Sequence, residues 1–216
     1  MNFKINGEIV RLMPQKVLFL PEHKILLVAD IHFGKINHFR KSGIPVPHIA
    51  NEQNTATLIE VINKTNPDRV IFLGDLFHSH YNEEWETVGQ IRKHFSECSF
   101  ELVLGNHDIL TLQQYKRHSI QVLENQLIIG QWLLTHEPLI TIPENLYNLS
   151  GHIHPGVRLK GAGRQSILLP CFYFGSQQGI LPAFGSFTGL AKIIPKKGDS
   201  AFVVAENKII DVSSAA

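Results

Sequence analysis

The chain has 216 residues, 44% of them hydrophobic, and a formal net charge of +1 with histidine neutral. That is enough apolar material for one globular domain with a sizeable core. It excludes a global basic field for nucleic acid, though not a local patch.

Two cysteines far apart, Cys98 and Cys171, rule out a disulfide framework or a zinc ribbon and point to a reducing compartment, the cytoplasm. The opening MNFKINGEIVRLMPQK lacks the apolar core of a signal peptide. No apolar run reaches the roughly 20 residues that span a bilayer, so no membrane is expected. The 12 histidines are the unusual feature of the composition, and their positions have to decide what they do.

In chain order, FKI, EIVRL and KVLFL read as successive strands. KILLVAD (24–30) is a short apolar run ending in a carboxylate; DRVIFLGD (68–75) repeats that shape, and FELVLGNHD (100–108) nearly does. QWLLTHE (131–137) ends on a histidine. These read as buried strands with polar residues at their carboxyl ends. From His48 to Lys64, residues Ile49, Thr55, Leu58, Ile59 and Ile62 approximate one helical face. From Asn82 to Phe95, Trp85, Val88, Ile91 and Phe95 do the same, with Asn82 as N-cap and Glu83, Glu84 and Glu86 in the first turn. Strands alternating with helices imply an α/β arrangement with parallel pairing. The first strands and the last (SILLPCFYF, LAKIIP, SAFVVAENKIIDV) predict a second, more antiparallel sheet. No linker or internal repeat divides residues 1–216, which predicts one domain.

The strand ends deliver Asp30, His32, Asp75, Asn106, His107, Asp108 and His136, and His152 and His154 follow in GHIHP. In open α/β sheets, sites form beyond the carboxyl ends of the strands. In extended backbone, residues i and i+2 share a side, so Asp30 with His32, and His152 with His154, would each offer two ligands to one place. Carboxylates, an amide oxygen and imidazoles suit manganese, iron or zinc, and no thiolate is present to select a softer metal. About seven candidates exceed the three or four of a single zinc site and suffice for two ions if one carboxylate bridges them.

D-x-H, G-D, G-N-H-D, a lone H and G-H-x-H, in that order, resemble the calcineurin-like metallophosphoesterase superfamily. Here they are Asp30-Ile31-His32, Gly74-Asp75, Gly105-Asn106-His107-Asp108, His136 and Gly151-His152-Ile153-His154. The resemblance implies a β-sandwich of two mixed sheets flanked by helices and two divalent ions, manganese first, with iron or zinc as alternatives. Asp30, His32 and His154 would hold one metal, Asn106, His136 and His152 the other, and Asp75 would bridge. FGKINHFRKSGIPVP, LLPCFYF and LPAFGSFTG look like the ligase-associated DNA damage response endonuclease group (PdeM). That likeness implies DNA as substrate and a DNA ligase, a helicase and an exonuclease as repair partners. Many superfamily members carry an acidic residue three positions after the bridging aspartate; here His78 stands there.

The implied reaction is phosphodiester hydrolysis by a metal-bridging hydroxide, with His107 as general acid and Asp108 orienting its ring. Gly74 and Gly105 would permit tight turns beside the ions. Lys35, Arg40 and Lys41, close in sequence to the metals, are candidates to hold a nucleic-acid backbone. His78 and His80 are expected to be loop residues without a ligand role. Arg158, Lys160 and Arg164, flanking a glycine-rich turn after His154, could extend a phosphate track but read first as plain surface, and LPAFGSFTG reads as strand and turn in the second sheet.

Two other functions compete. One is a phosphatase or phosphodiesterase for a small nucleotide or phosphomonoester, which the near-zero net charge favours. The other is a non-catalytic scaffold, which loss of His107 or of ligands would signal; none is lost. An edge strand or the FRKSGIPVP segment could seat a second copy as a homo-oligomer.

Overall fold

The computed structural model describes residues 1–35, 49–78, 80–161, 163, 165–186 and 188–213. Four strands open the chain: β1 (Asn2–Ile5), β2 (Glu8–Met13), β3 (Val17–Leu20) and β4 (Ile25–Val28). Three crossovers follow, with α1 (Ile49–Thr65), β5 (Arg69–Leu73), α2 (Glu84–His94), β6 (Ser99–Val103), α3 (Leu112–Arg117) and β7 (Ile120–Leu123). They form a seven-stranded sheet in the order β1-β2-β3-β4-β5-β6-β7, antiparallel from β1 to β4 and parallel from β4 to β7.

The second sheet has nine strands: β8 (Gln126–Ile129), β9 (Trp132–Thr135), β10 (Tyr147–Ser150), β11 (Pro155–Lys160), β12 (Ser166–Phe174), β13 (Gln178–Ile180), β14 (Ala191–Lys192), β15 (Ser200–Ala205) and β16 (Lys208–Asp211). Its order is β14-β11-β12-β13-β10-β9-β8, with β15 on β12 and β16 on β15. It is mixed: β9, β10 and β13 run parallel, and most of the rest antiparallel.

The apolar runs are continuous because β4, β5 and β6 are buried on both faces. Val28, Phe72 and Phe100 face the helices, where Leu58, Val61, Trp85, Val88, Ile91 and Tyr115 meet them. Leu27, Ile71 and Val103 face the other way, against Trp132, Leu134, Leu149 and Phe172 of the second sheet. Among the described residues all three helices pack on the first sheet. Asn82 accepts a hydrogen bond from the Glu84 amide at 2.9 Å at the start of α2. No helix among the described residues is long and apolar enough to cross a membrane.

Two expectations change. The N-terminal strands belong to the first sheet as its antiparallel flank, not to the second. QWLLTHE, grouped by pattern with the parallel runs, lies in the second sheet as β9. An apolar strand pattern reports burial on its faces but not which layer supplies the neighbour.

Candidate metal centre

Every predicted ligand lies just past the carboxyl end of a strand. Asp30 and His32 follow β4, Asp75 follows β5, Asn106 follows β6, His136 follows β9, and His152 and His154 follow β10. The loops after β4 and β5 run side by side: Asp30 N donates to Gly74 O at 3.3 Å, His32 N to Asp75 O at 2.9 Å and Phe33 N to Leu76 O at 3.0 Å. Gly151 N donates to His136 O at 2.9 Å, which joins the two loops of the second sheet. The sheets are crossed where the Asp30 carboxylate accepts the His152 amide at 2.9 and 3.2 Å.

The backbone here is not extended. Asp30, His32, Asp75, His152 and His154 all sit in the left-handed region, with φ between 51° and 65°. The i, i+2 pairs therefore share a target through left-handed turns, not through the strand alternation expected. Asp and His visit this region more readily than most residues, yet five together in one place is a strained constellation. Gly74 is required by its own φ of 76° and because a Cβ there would fall inside the His136 ring. At Gly105 a Cβ would collide with the Asp75 carboxylate, so that glycine serves close approach rather than a tight turn.

The proton positions show what the cluster lacks. His136 Nδ1 lies 2.9 Å from Leu73 O, which can only accept, so Nδ1 carries the hydrogen. Its Nε2 then presents a lone pair to Asn106 Oδ1 at 3.0 Å and Asp75 Oδ1 at 3.5 Å, with His152 Nδ1 at 3.1 Å. His154 repeats the arrangement: Nδ1 bonds Gly189 O at 3.2 Å, and Nε2 lies 3.4 Å from Asp30 Oδ1, buried and without a hydrogen-bond partner. Both ring nitrogens of His32 are buried and unpartnered as well, with Nε2 3.7 Å from Asp75 Oδ2. Burial, with Lys35 next in effect, pushes the His32 pKa down to about 2, so this imidazole is neutral and offers a lone pair.

Where an imidazole lone pair meets a carboxylate, as His154 Nε2 does at Asp30 and His32 Nε2 at Asp75, a cation between them would relieve the repulsion. The histidines that donate Nδ1–H to a backbone carbonyl have the orientation that presents Nε2 to a metal. Two groups bring their ligand atoms within 4.8 Å of one another: Asp30, His32 and His154, and Asp30, Asp75 and His136. Either group could hold a divalent cation. Asp75 turns one oxygen toward His136 and the other toward His32, and Asp30 also touches both groups.

His107 stands at the rim with 43% of its side chain exposed, its Nε2 3.9 Å from Asp75 Oδ2 and its amide donating to Asp75 Oδ1 at 3.0 Å. Its ring packs on His78, with centroids 4.0 Å apart. The expected bond from Asp108 to that ring gives way to another arrangement. Its oxygens accept the amides of Phe77 at 3.1 Å and Gly105 at 2.9 Å, so Asp108 fastens the β5 loop to the β6 loop. Burial raises its pKa to about 7 despite those two bonds.

Lys35 is half-buried and lies in the field of Asp75 and Asp30; burial lowers its pKa while they raise it. Arg40 and Lys41 lie outside the described residues. The described residues of LPAFGSFTG, 181–186, 188 and 189, form no strand of the second sheet; they lie between β13 and β14 and meet the centre through their backbone. Phe184 N donates to Ala29 O at 2.8 Å, Gly185 N to Asp30 O at 3.1 Å, and Gly189 O receives His154 Nδ1–H. These are backbone contributions, so the residue types of that loop carried no signal of them.

The sequence model of the calcineurin-like phosphoesterase family matches residues 23–165. Among solved structures, nuclease MPE of Pseudomonas putida shares 27% identity over 98% of each chain, with a TM-score of 0.83. Yfce, a phosphoesterase from E. coli, shares 16% over 86% of this chain and 96% of that one, with a TM-score of 0.45. No curated protein matches the sequence. From the match across its loops and strands, the chain belongs to the calcineurin-like phosphoesterase family and is a metal-dependent phosphoesterase.

Proposed function

We propose that the chain is a binuclear, manganese-dependent phosphodiesterase that cleaves DNA as an endonuclease in repair. The observation that carries this reading is the convergence of two buried, unpartnered imidazole nitrogens, His154 Nε2 on the Asp30 carboxylate and His32 Nε2 on that of Asp75, with His136 Nε2 3.5 Å from the other Asp75 oxygen. Nuclease MPE, similar over nearly the whole length, supports a nucleic acid as the substrate. In this reading Asp30, His32 and His154 hold one ion, Asn106, His136 and His152 the other, and Asp75 bridges. Iron or zinc would suit the same donors.

Bound ions would polarise the phosphoryl oxygens and lower the pKa of the attacking water. The chain's own residues do the rest. His107, free to reach into solvent from the rim, donates a proton to the leaving oxygen. The face of His78 limits where the His107 ring can swing. Asp108 keeps the two loops that carry Asp75 and His107 at a fixed separation. Lys35 adds positive charge beside the substrate phosphate. The free, buried Cys98 and Cys171 suit a reducing cytoplasm, where a DNA ligase, a helicase and an exonuclease would be the repair partners.

The test compares bis-(p-nitrophenyl) phosphate with p-nitrophenyl phosphate in manganese, then single-stranded and nicked DNA, at low salt. Diester turnover with DNA cleavage is expected. Fast monoester hydrolysis with intact DNA would replace this reading with an enzyme for a small phosphorylated molecule.

A further inference from the structure

The near-neutral charge of the chain conceals a segregation. Residues 145–198 contain Arg158, Lys160, Arg164, Lys192, Lys196 and Lys197 and not one Asp or Glu. The rest of the chain is therefore net acidic. Arg164 lies outside the described residues, and nothing below depends on it.

The fold gathers part of this charge along one groove. β11 begins at Pro155, the residue after His154. β14 pairs with it in parallel, Gly156 opposite Lys192, and Ala191 N donates to His154 O at 2.9 Å. After Lys192 the ladder stops, and a groove of about 530 Å³ opens between β11 and the segment that follows β14. Its lining includes the cations Arg158, Lys160 and Lys192, all exposed, and the apolar Leu159, Ile194 and Val212. Ile194 is 71% exposed, so its side chain is open to a base laid along the groove. At about 3.3 Å per strand residue, Arg158 and Lys160 lie roughly 13 and 20 Å beyond His154. The strand that walls the groove thus starts beside His154, and its cations lead away from the metal centre.

We propose that this groove is a track for single-stranded nucleic acid, with its phosphates on Arg158, Lys160 and Lys192 and its bases against the apolar lining. The assignment rests on the nuclease reading above and adds the surface that holds the polymer outside the reacting phosphate. Backbone-tracking cations beside an apolar surface bind single strands without sequence preference. Phosphate contacts of this kind set position rather than specificity. The alternative occupant, an acidic peptide with apolar anchors, would match the charge but has no reason to begin at a metal ligand.

The experiment uses the full chain in manganese and a triple variant, Arg158→Ala, Lys160→Ala and Lys192→Ala. Three quantities are read: bis-(p-nitrophenyl) phosphate turnover, binding and cleavage of a labelled oligothymidylate, and binding of a labelled Glu/Leu peptide. The oligonucleotide has about 30 nucleotides, longer than the roughly 4–16 that one groove occupies. The track predicts unchanged small-diester turnover and a loss of roughly 10-fold or more in oligonucleotide affinity and cleavage. It also predicts a salt dependence of binding that is shallower by about 2 in log–log slope, because each single-strand phosphate contact contributes about 0.7. Parental cleavage and salt slope in the triple variant would overturn the track and leave the nuclease reading standing. If the unmodified chain turns over the diester but does not bind the oligonucleotide, both fall, and peptide binding lost in the triple variant would assign the groove to a protein.

Discussion

Replacing Gly74 with alanine tests whether the centre depends on the packing just past β5. The residue has a φ of 76°, and its missing side chain is where the His136 ring lies. Three costs add. The left-handed conformation costs an alanine about 1–2 kcal/mol. Forcing a methyl into an occupied space costs about 1–3 kcal/mol. If His136 yields, its buried bond to Leu73 O at 2.9 Å is lost, for about 1–3 kcal/mol. A total of about 3–8 kcal/mol is a large part of the 5–15 kcal/mol that stabilises an ordinary domain. Urea unfolding in chelator reads it directly: at an m-value of about 2 kcal/mol/M the midpoint should fall by roughly 1.5–4 M. Metal analysis of the folded fraction is the second readout, because a displaced His136 no longer faces Asn106 and Asp75. A Gly74→Ala protein with parental midpoint and parental metal content would refute the reasoning.

Asp75→Asn should weaken both ions together, since its two oxygens face different groups; loss of one ion with the other held at parental affinity, by titration calorimetry, would assign the bridge elsewhere. His107→Ala should keep both metals and lose roughly 10²–10⁴-fold in diester turnover; a metal-replete variant at full rate would remove the general-acid role. Asp108→Asn tests a pH effect whose sign follows from its raised pKa. A carboxyl at about 7 when folded and about 3.9 when unfolded holds its proton better in the fold, so it opposes folding above pH 7 and ceases to do so by about pH 4. Relative to the Asn variant, metal-free parent should therefore gain stability as pH falls across that window, by up to about 4 kcal/mol, and parallel urea-midpoint profiles would contradict it.

Much of the centre was legible because its chemistry is written in side chains. The D-x-H, G-D, G-N-H-D and G-H-x-H segments put donors after apolar runs, and the shortness of those runs and their β-branched residues mark them as buried strands rather than helices. What escaped was carried by backbone or by context. The left-handed turns at Asp30, His32, His152 and His154 are not marked by glycine, so the pairs looked like ordinary strand alternation. Asp108 looked like a ring-orienting carboxylate because it adjoins His107, whereas its partners are amides from two different loops. The six-residue α3, with its Thr111–Gln114 capping box, is too short for an apolar period to stand out. Its strongest signal was the cap itself. The layer to which β1–β3 belong is set by long-range pairing that no local pattern encodes.

The same architecture explains why the centre can bear its strain. The proposed ligands come from both sheets: Asp30, His32, Asp75 and Asn106 from loops of the first, His136, His152 and His154 from loops of the second. At the opposite ends of β4 and β9 a second polar cluster joins the sheets. There Glu8 accepts hydrogen bonds from Gln131 at 2.7 Å and Trp132 at 2.9 Å and pairs with His23 at 3.1 Å. Between the two ends lies the apolar layer of Leu27, Ile71, Trp132 and Leu134. A sandwich pinned at one end and packed along its length leaves its loops little freedom at the other. The left-handed residues are then restrained by the two sheets, which lowers what a cation would have to order. Affinity gained in this way comes from not having to order the ligands on binding, which is the physical meaning of a preorganised metal centre.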